Sequence, residues 1–118
     1  MGLTAEALQR IRDAVGDDDG VVADILQSFV DEVDSLLDKL SGAAEAQDAT
    51  TLRRLAHTLK SSCHDLGDNV AGALCADLED RSHRNEMEDA AARADAIADA
   101  CRRLKHEVVH YIASLRCG

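Results

Sequence analysis

Residues 22–44 read VADILQSFVDEVDSLLDKLSGAA, and Val22, Ile25, Phe29, Val33, Leu36, Leu40 and Ala44 recur there at steps of three and four. That spacing returns an apolar side chain to one face of a 3.6-residue helix over about six turns, where a strand would need alternation. Acids and serines occupy much of the remainder, so the segment is a long amphipathic helix that needs partners for its apolar face.

Similar stripes flank it. Upstream, Thr4 is placed to cap a short first helix bearing Leu8, Ile11 and Val15, and Gly16 ends it. Asp17-Asp18-Asp19-Gly20 reads as a loop whose acids suit the positive N-terminus of the next helix. Downstream, Gln47 and Asp48 form a polar break with Asp48 as an N-cap, and a third helix carries Leu52, Leu55, Leu59 and Leu66 before Gly67 stops it. Asp68 or Asn69 caps a fourth helix bearing Val70, Leu74 and Leu78. Arg81 to Asn85 reads as a turn, and Asn85 with Glu88 resembles a capping box. The last helix follows Ile97, Cys101, Leu104, Val108, Tyr111 and Leu115. Without an internal repeat or a dividing linker, residues 1–118 form a single domain. Its expected class is all-α: an antiparallel up-and-down four-helix bundle with a short additional N-terminal helix.

Composition agrees. Proline is absent, Phe and Tyr occur once each, and about a sixth of the residues are alanine, which favours helix over strand. With 46% hydrophobic and 31% charged residues the chain can build a core, so disorder is excluded. A net charge of −10 repels phosphate backbones and anionic lipid, so neither nucleic acid nor membrane is an expected partner. No apolar run has the form of a signal peptide or approaches the ~18 residues of a span, which points to the cytoplasm. The four cysteines show no CxxC spacing; Cys63, Cys75 and Cys101 read as reduced core residues and Cys117 as an exposed tail thiol.

The third helix has an unusual outer face. Leu52, Leu55, Leu59 and Leu66 fall within about 60° of one another on a helical projection, and His57 lies nearly opposite. Arg53, Arg54, Lys60, Ser61 and His64 share its side. Residues 51–60 hold three basic side chains and no acid in an otherwise acidic protein. A phosphoryl group carries roughly −2 charge, and Lys60, one turn on, is within reach of one borne by His57. Each such charge pair is worth about 1 kcal/mol near water, enough to bias a geometry but not to build a tight anion site. Ser61 is small, leaving the imidazole uncovered. Spacing alone admits two readings, a functional imidazole or a solvated face that includes a histidine.

A second pattern is His106-Glu107-Val108-Val109-His110, which matches the HExxH of zinc peptidases. The third ligand of such sites commonly lies well downstream, and eight residues follow His110. A solvated helix face accounts for it better, and no metal site of the protein's own is expected.

The segment Ala56-His57-Thr58-Leu59-Lys60-Ser61-Ser62, followed by Leu66-Gly67, resembles the phosphoacceptor signature of histidine phosphotransfer (HPt) domains, A-H-x-L-K-[GS]-S ending in L-G. The likeness extends over about residues 3–115, through the acidic loop before Ile25-Leu26 and through Leu74-Cys75 and Leu78-Glu79. It implies a phosphorelay carrier of two-component signal transduction, with His57 phosphorylated through Nε2, Lys60 steadying the phosphoryl oxygens and Ser61 at the family's frequent glycine position. Arg53, Arg54, Ser61 and His64 would meet the partner. Asp68 stands where a small residue is common, which would alter the rim of the docking surface. In some members a glutamine of the second helix faces the imidazole, a position near Glu32 by approximate register.

The implied partners are response-regulator receiver domains and a hybrid sensor histidine kinase, with Mg2+ supplied by the receiver and no cofactor of the chain's own. A monomer is the implied state. The start at Met1 favours a free-standing protein over a domain excised from a kinase. The phosphoacceptor helices of sensor kinases carry an acid after the histidine and a proline five residues on; here those positions are Thr58 and Ser62, so a phosphocarrier is implied rather than a kinase. The same resemblance leaves room for a module that docks a receiver without accepting phosphate.

Overall fold

In a computed structural model describing residues 2–117, the long amphipathic segment forms α2 (Asp19–Glu45). It is preceded by α1 (Ala5–Val15) and followed by α3 (Ala49–Asp65), α4 (Asn69–His83) and α5 (Ala90–Cys117). The single-domain bounds 1–118 include Met1 and Gly118, which lie outside the described residues.

The helices are turned back by one recurrent device. Gln47, Gly67 and Asn85 adopt φ of 56°, 88° and 59°, each just past the end of a helix. In each case the next amide reaches back: Asp48 N–H to the Ala43 carbonyl, Asp68 to Cys63 and Glu86 to Arg81, at 2.8–2.9 Å. These left-handed closures satisfy carbonyls that a helix end leaves orphaned. After the first two, the following aspartate caps the next helix, Asp48 accepting from Thr51 N and Asp68 from Ala71 N. Two three-residue connections thus reverse the chain twice. Asn85 belongs to this device and not to a capping box: α4 runs on to His83, and α5 begins only at Ala90. Asp19 and Gly20 already lie in the first turn of α2, leaving Asp18 as its cap.

The result is the expected all-α bundle. α2 packs on α3 and α5, and α4 packs on the same two, closing a four-helix ring about 47 Å long and 20 Å wide. α1 lies over the end where α2 starts and α5 finishes, since Arg12 donates to Asp19 of α2 and to the Tyr111 hydroxyl of α5. The Thr4 amide donates to the Leu66 carbonyl, fixing the start of α1 to the end of α3. Gly67 allows this approach, because a Cβ there would collide with the Thr4 side chain.

Leu26, Val33, Leu37 and Leu40 meet Leu52, Leu55, Leu59, Leu78, Ile97, Leu104 and Val108 in the core. Two stripes are rotated from their expected positions. On α2 the core passes through Leu26 and Leu37, while Ile25 is 42% exposed and Phe29 and Leu36 are half-buried. On α4 the inward positions are Ala71, Cys75 and Leu78, with Val70 and Leu74 at the surface. Besides Leu78, α4 packs inward through the small residues Ala71, Gly72 and Cys75, so two of its larger apolar side chains, Val70 and Leu74, are left outside the core. No helix among the described residues is long and apolar enough to cross a membrane.

Candidate functional site

His57 is the central residue of α3, eight positions from either end. Its neighbours Leu55, Ala56 and Leu59 are buried, which fixes the roll of the helix and turns the imidazole outward. The side chain is 61% exposed. Thr50, Arg53, Arg54 and Thr58 border a shallow depression with it, and the far wall is Glu79 of α4.

Glu79 organises the site. Its Oε2 lies 2.8 Å from His57 Nδ1, and its Oε1 lies 2.6 Å from Lys60 Nζ. The Lys60 contact is an ion pair rather than an aligned hydrogen bond. A carboxylate can only accept, so Nδ1 carries the proton and donates it, leaving the Nε2 lone pair of the neutral ring toward solvent. No protein group is hydrogen-bonded to Nε2 among the described residues. Partial burial pushes the Glu79 carboxyl up, but the contacts from Lys60 and His57 outweigh it and hold the carboxyl below its ordinary range.

Other expected residues fall on two sides of the imidazole. Arg53 and Arg54 are exposed beside the depression, and neither enters an ion pair among the described residues. Ser61 is exposed, one turn along the helix from the imidazole. Lys60 is half-buried and engaged by Glu79. His64 turns instead toward the start of α4, where its Nδ1 is 3.2 Å from Asn69 Oδ1 and its ring lies against Gly72.

Glu32, near the register position of the glutamine in some members, lines a separate groove with Ile25, Phe29 and Ser62, and the partner of Nδ1 comes from α4. Two expectations change. Asp68 does not rim a docking surface, because it is 3% exposed and its carboxylate accepts from Ala71 N. The face around His57 is not purely basic, since Glu79 lies among its cations.

His106 and His110 sit on the exposed side of α5, and no third ligand joins them among the described residues. Sequence reading passed over the role of Glu79, whose signal was limited to its place after the core residue Leu78. Which residue of α4 faces which residue of α3 depends on how two helices pack.

The helical bundle thus presents one oriented imidazole on an open face shared by cations and Glu79, with no enclosed cleft around it among the described residues. A family model for the Hpt domain matches residues 24–107. Over 44 residues the chain is 50% identical to the sensor protein TorS of Escherichia coli (strain K12), a stretch that is 37% of this chain and 5% of TorS. The chain therefore spans a small fraction of that relative's length. Its fold matches the crystal structure of histidine-containing phosphotransfer protein B (HptB) from Pseudomonas aeruginosa PAO1, with a TM-score of 0.84 and 22% identity over 95% of both chains. The chain belongs to the Hpt domain family.

Proposed function

We propose that His57 Nε2 accepts a phosphoryl group from the phosphoaspartate of a response-regulator receiver domain and passes it to the aspartate of another. The observation that carries this reading is the pairing of His57 Nδ1 with Glu79, which leaves the opposite nitrogen unpartnered at the surface. In the forward step the Nε2 lone pair attacks phosphorus, an N–P bond forms, the P–O bond to aspartate breaks, and the carboxylate leaves with the electron pair. Nδ1–H donates to Glu79 throughout, so the cationic phosphoimidazole that forms is stabilised by a carboxylate already in place.

Lys60 lies one turn from His57 and would divide its charge between Glu79 and the phosphoryl oxygens. Arg53 and Arg54 would steer and hold the receiver, whose acidic phosphoacceptor site they complement. Ser61 keeps the approach open. Among the described residues nothing beside His57 fits Mg2+, since the adjacent carboxylate, Glu79, is taken by His57 and Lys60. The ion belongs to the receiver. The protein acts as a monomeric phosphocarrier without kinase activity of its own, with a hybrid sensor histidine kinase upstream and a reducing cytoplasm suited to its free thiols.

Incubation with a pre-phosphorylated receiver and Mg2+ tests the proposal. The chain should gain an acid-labile, alkali-stable label that is absent in His57→Gln. Receiver binding without label would instead indicate a docking module.

A further inference from the structure

Three cysteines from three helices meet in the core. Cys63 of α3, Cys75 of α4 and Cys101 of α5 are each fully buried, and their sulfur atoms lie within 4.8 Å of one another. Cys63 Sγ and Cys101 Sγ are 3.8 Å apart. Phosphotransfer makes no use of them. The Cys63–Cys101 separation equals the sulfur spacing of a tetrahedral site with metal–sulfur bonds of about 2.3 Å, and the third sulfur is within 4.8 Å of both.

Two features narrow the ligand. No histidine or carboxylate joins the sulfurs as a fourth donor among the described residues, and full burial leaves no opening for a coordinated water. The surroundings oppose added negative charge, because the three sulfurs are fully buried and the acid nearest them in the fold, Asp68, is itself 3% exposed, while Arg102 beside Cys101 in sequence is exposed. Zinc held by three thiolates would leave one uncompensated negative charge in the core, and cuprous copper two; buried unpaired charge is costly. A trivalent centre leaves none.

We propose that Cys63, Cys75 and Cys101 form a binding site for trivalent arsenic, held as a neutral three-coordinate trithiolate. Arsenous acid, As(OH)3, is itself neutral. Three As–S bonds form and three As–O bonds break, and each thiol hydrogen departs with a hydroxyl as water. No net charge enters the core and no oxidation state changes. The adduct ties α3, α4 and α5 together, so it binds the folded state alone and stabilises it. Because the sulfurs are sealed, uptake follows opening of the bundle and is slow.

The test uses the unphosphorylated full chain carrying Cys117→Ser, which removes the exposed thiol, so its outcome is independent of the relay reading. After prolonged incubation with sodium arsenite and a thiol-free reductant, native mass spectrometry should show one arsenic per chain with the loss of three hydrogens, and the melting temperature should rise. Cys63→Ala, Cys75→Ala and Cys101→Ala, each verified as helical, should each weaken binding at least tenfold. X-ray absorption at the arsenic edge should find three sulfur neighbours, a readout that requires no further variant. Absence of bound arsenic, oxygen in its first coordination shell, undiminished binding in a folded single variant, or tighter binding of zinc than of arsenite would each overturn the proposal.

Discussion

Glu79 Oε2 and His57 Nδ1 lie 2.8 Å apart across the α3–α4 interface, and this contact sets which imidazole nitrogen is free. Replacing Glu79 with Ala should let the ring proton populate Nε2, removing the nucleophilic lone pair from part of the molecules. A hydrogen bond to a charged group at a partly exposed site is worth about 1 kcal/mol, which corresponds to about a fivefold slower acceptance of phosphoryl groups. Nitrogen-15 NMR of the imidazole should report the tautomer change. Glu79→Gln, which keeps an acceptor oxygen, should restore much of the wild-type tautomer. An unchanged tautomer in Glu79→Ala would remove Glu79 from the account.

The same carboxylate predicts a pH dependence of stability. Glu79 is held below its ordinary range, so the fold favours its charged form. Its contribution is therefore complete above the usual carboxyl pKa of about 4.3 and is lost as the pH falls through the lower folded value. Wild type should melt above Glu79→Gln near pH 6, and the gap should close as the pH falls below the usual carboxyl pKa of about 4.3 and on through the lower folded value. A gap that persists in acid would show that packing, not charge, separates the two.

Gly67 and Gly16 offer a matched comparison. Both have positive φ, 88° and 70°, so alanine at either is strained by about 1–2 kcal/mol. Only at Gly67 would the new Cβ also strike a neighbour, Thr4, whose amide anchors α1 to Leu66. Gly67→Ala should therefore lower the urea midpoint more than Gly16→Ala. Equal losses would mean that the α1 anchor yields without cost.

Arg53 and Arg54 are exposed beside His57 and enter no ion pair among the described residues. The double variant Arg53→Glu/Arg54→Glu should slow association with a receiver about tenfold at low salt, with the difference shrinking as salt screens it. Stopped-flow association across ionic strength measures this. A salt-independent deficit would point to a disrupted helix face.

The helical class, the number of helices and the outward direction of His57 were all legible in the sequence, because a 3.6-residue period and the Leu52–Leu66 stripe determine them locally. The stripes of α2 and α4 were less so. A run such as Val21-Val22-Ala23 or Leu36-Leu37 offers two neighbouring faces, and the choice between Ile25 and Leu26 falls to packing against other helices. Asn85 has the chemistry of both a helix cap and a left-handed terminator, and only the onset of α5 at Ala90 decides between them. Glu79 was out of reach for a related reason. Its partners lie 22 and 19 residues away on another helix, and that register is a tertiary property.

The phosphorylated protein, labelled with nitrogen-15 in its five histidines, gives the most direct measurement through phosphorus–nitrogen correlation NMR. The expected result is one phosphorus coupled to Nε2 of His57, with Nδ1 still protonated. Phosphorus on Nδ1, or on any other histidine, would contradict the account.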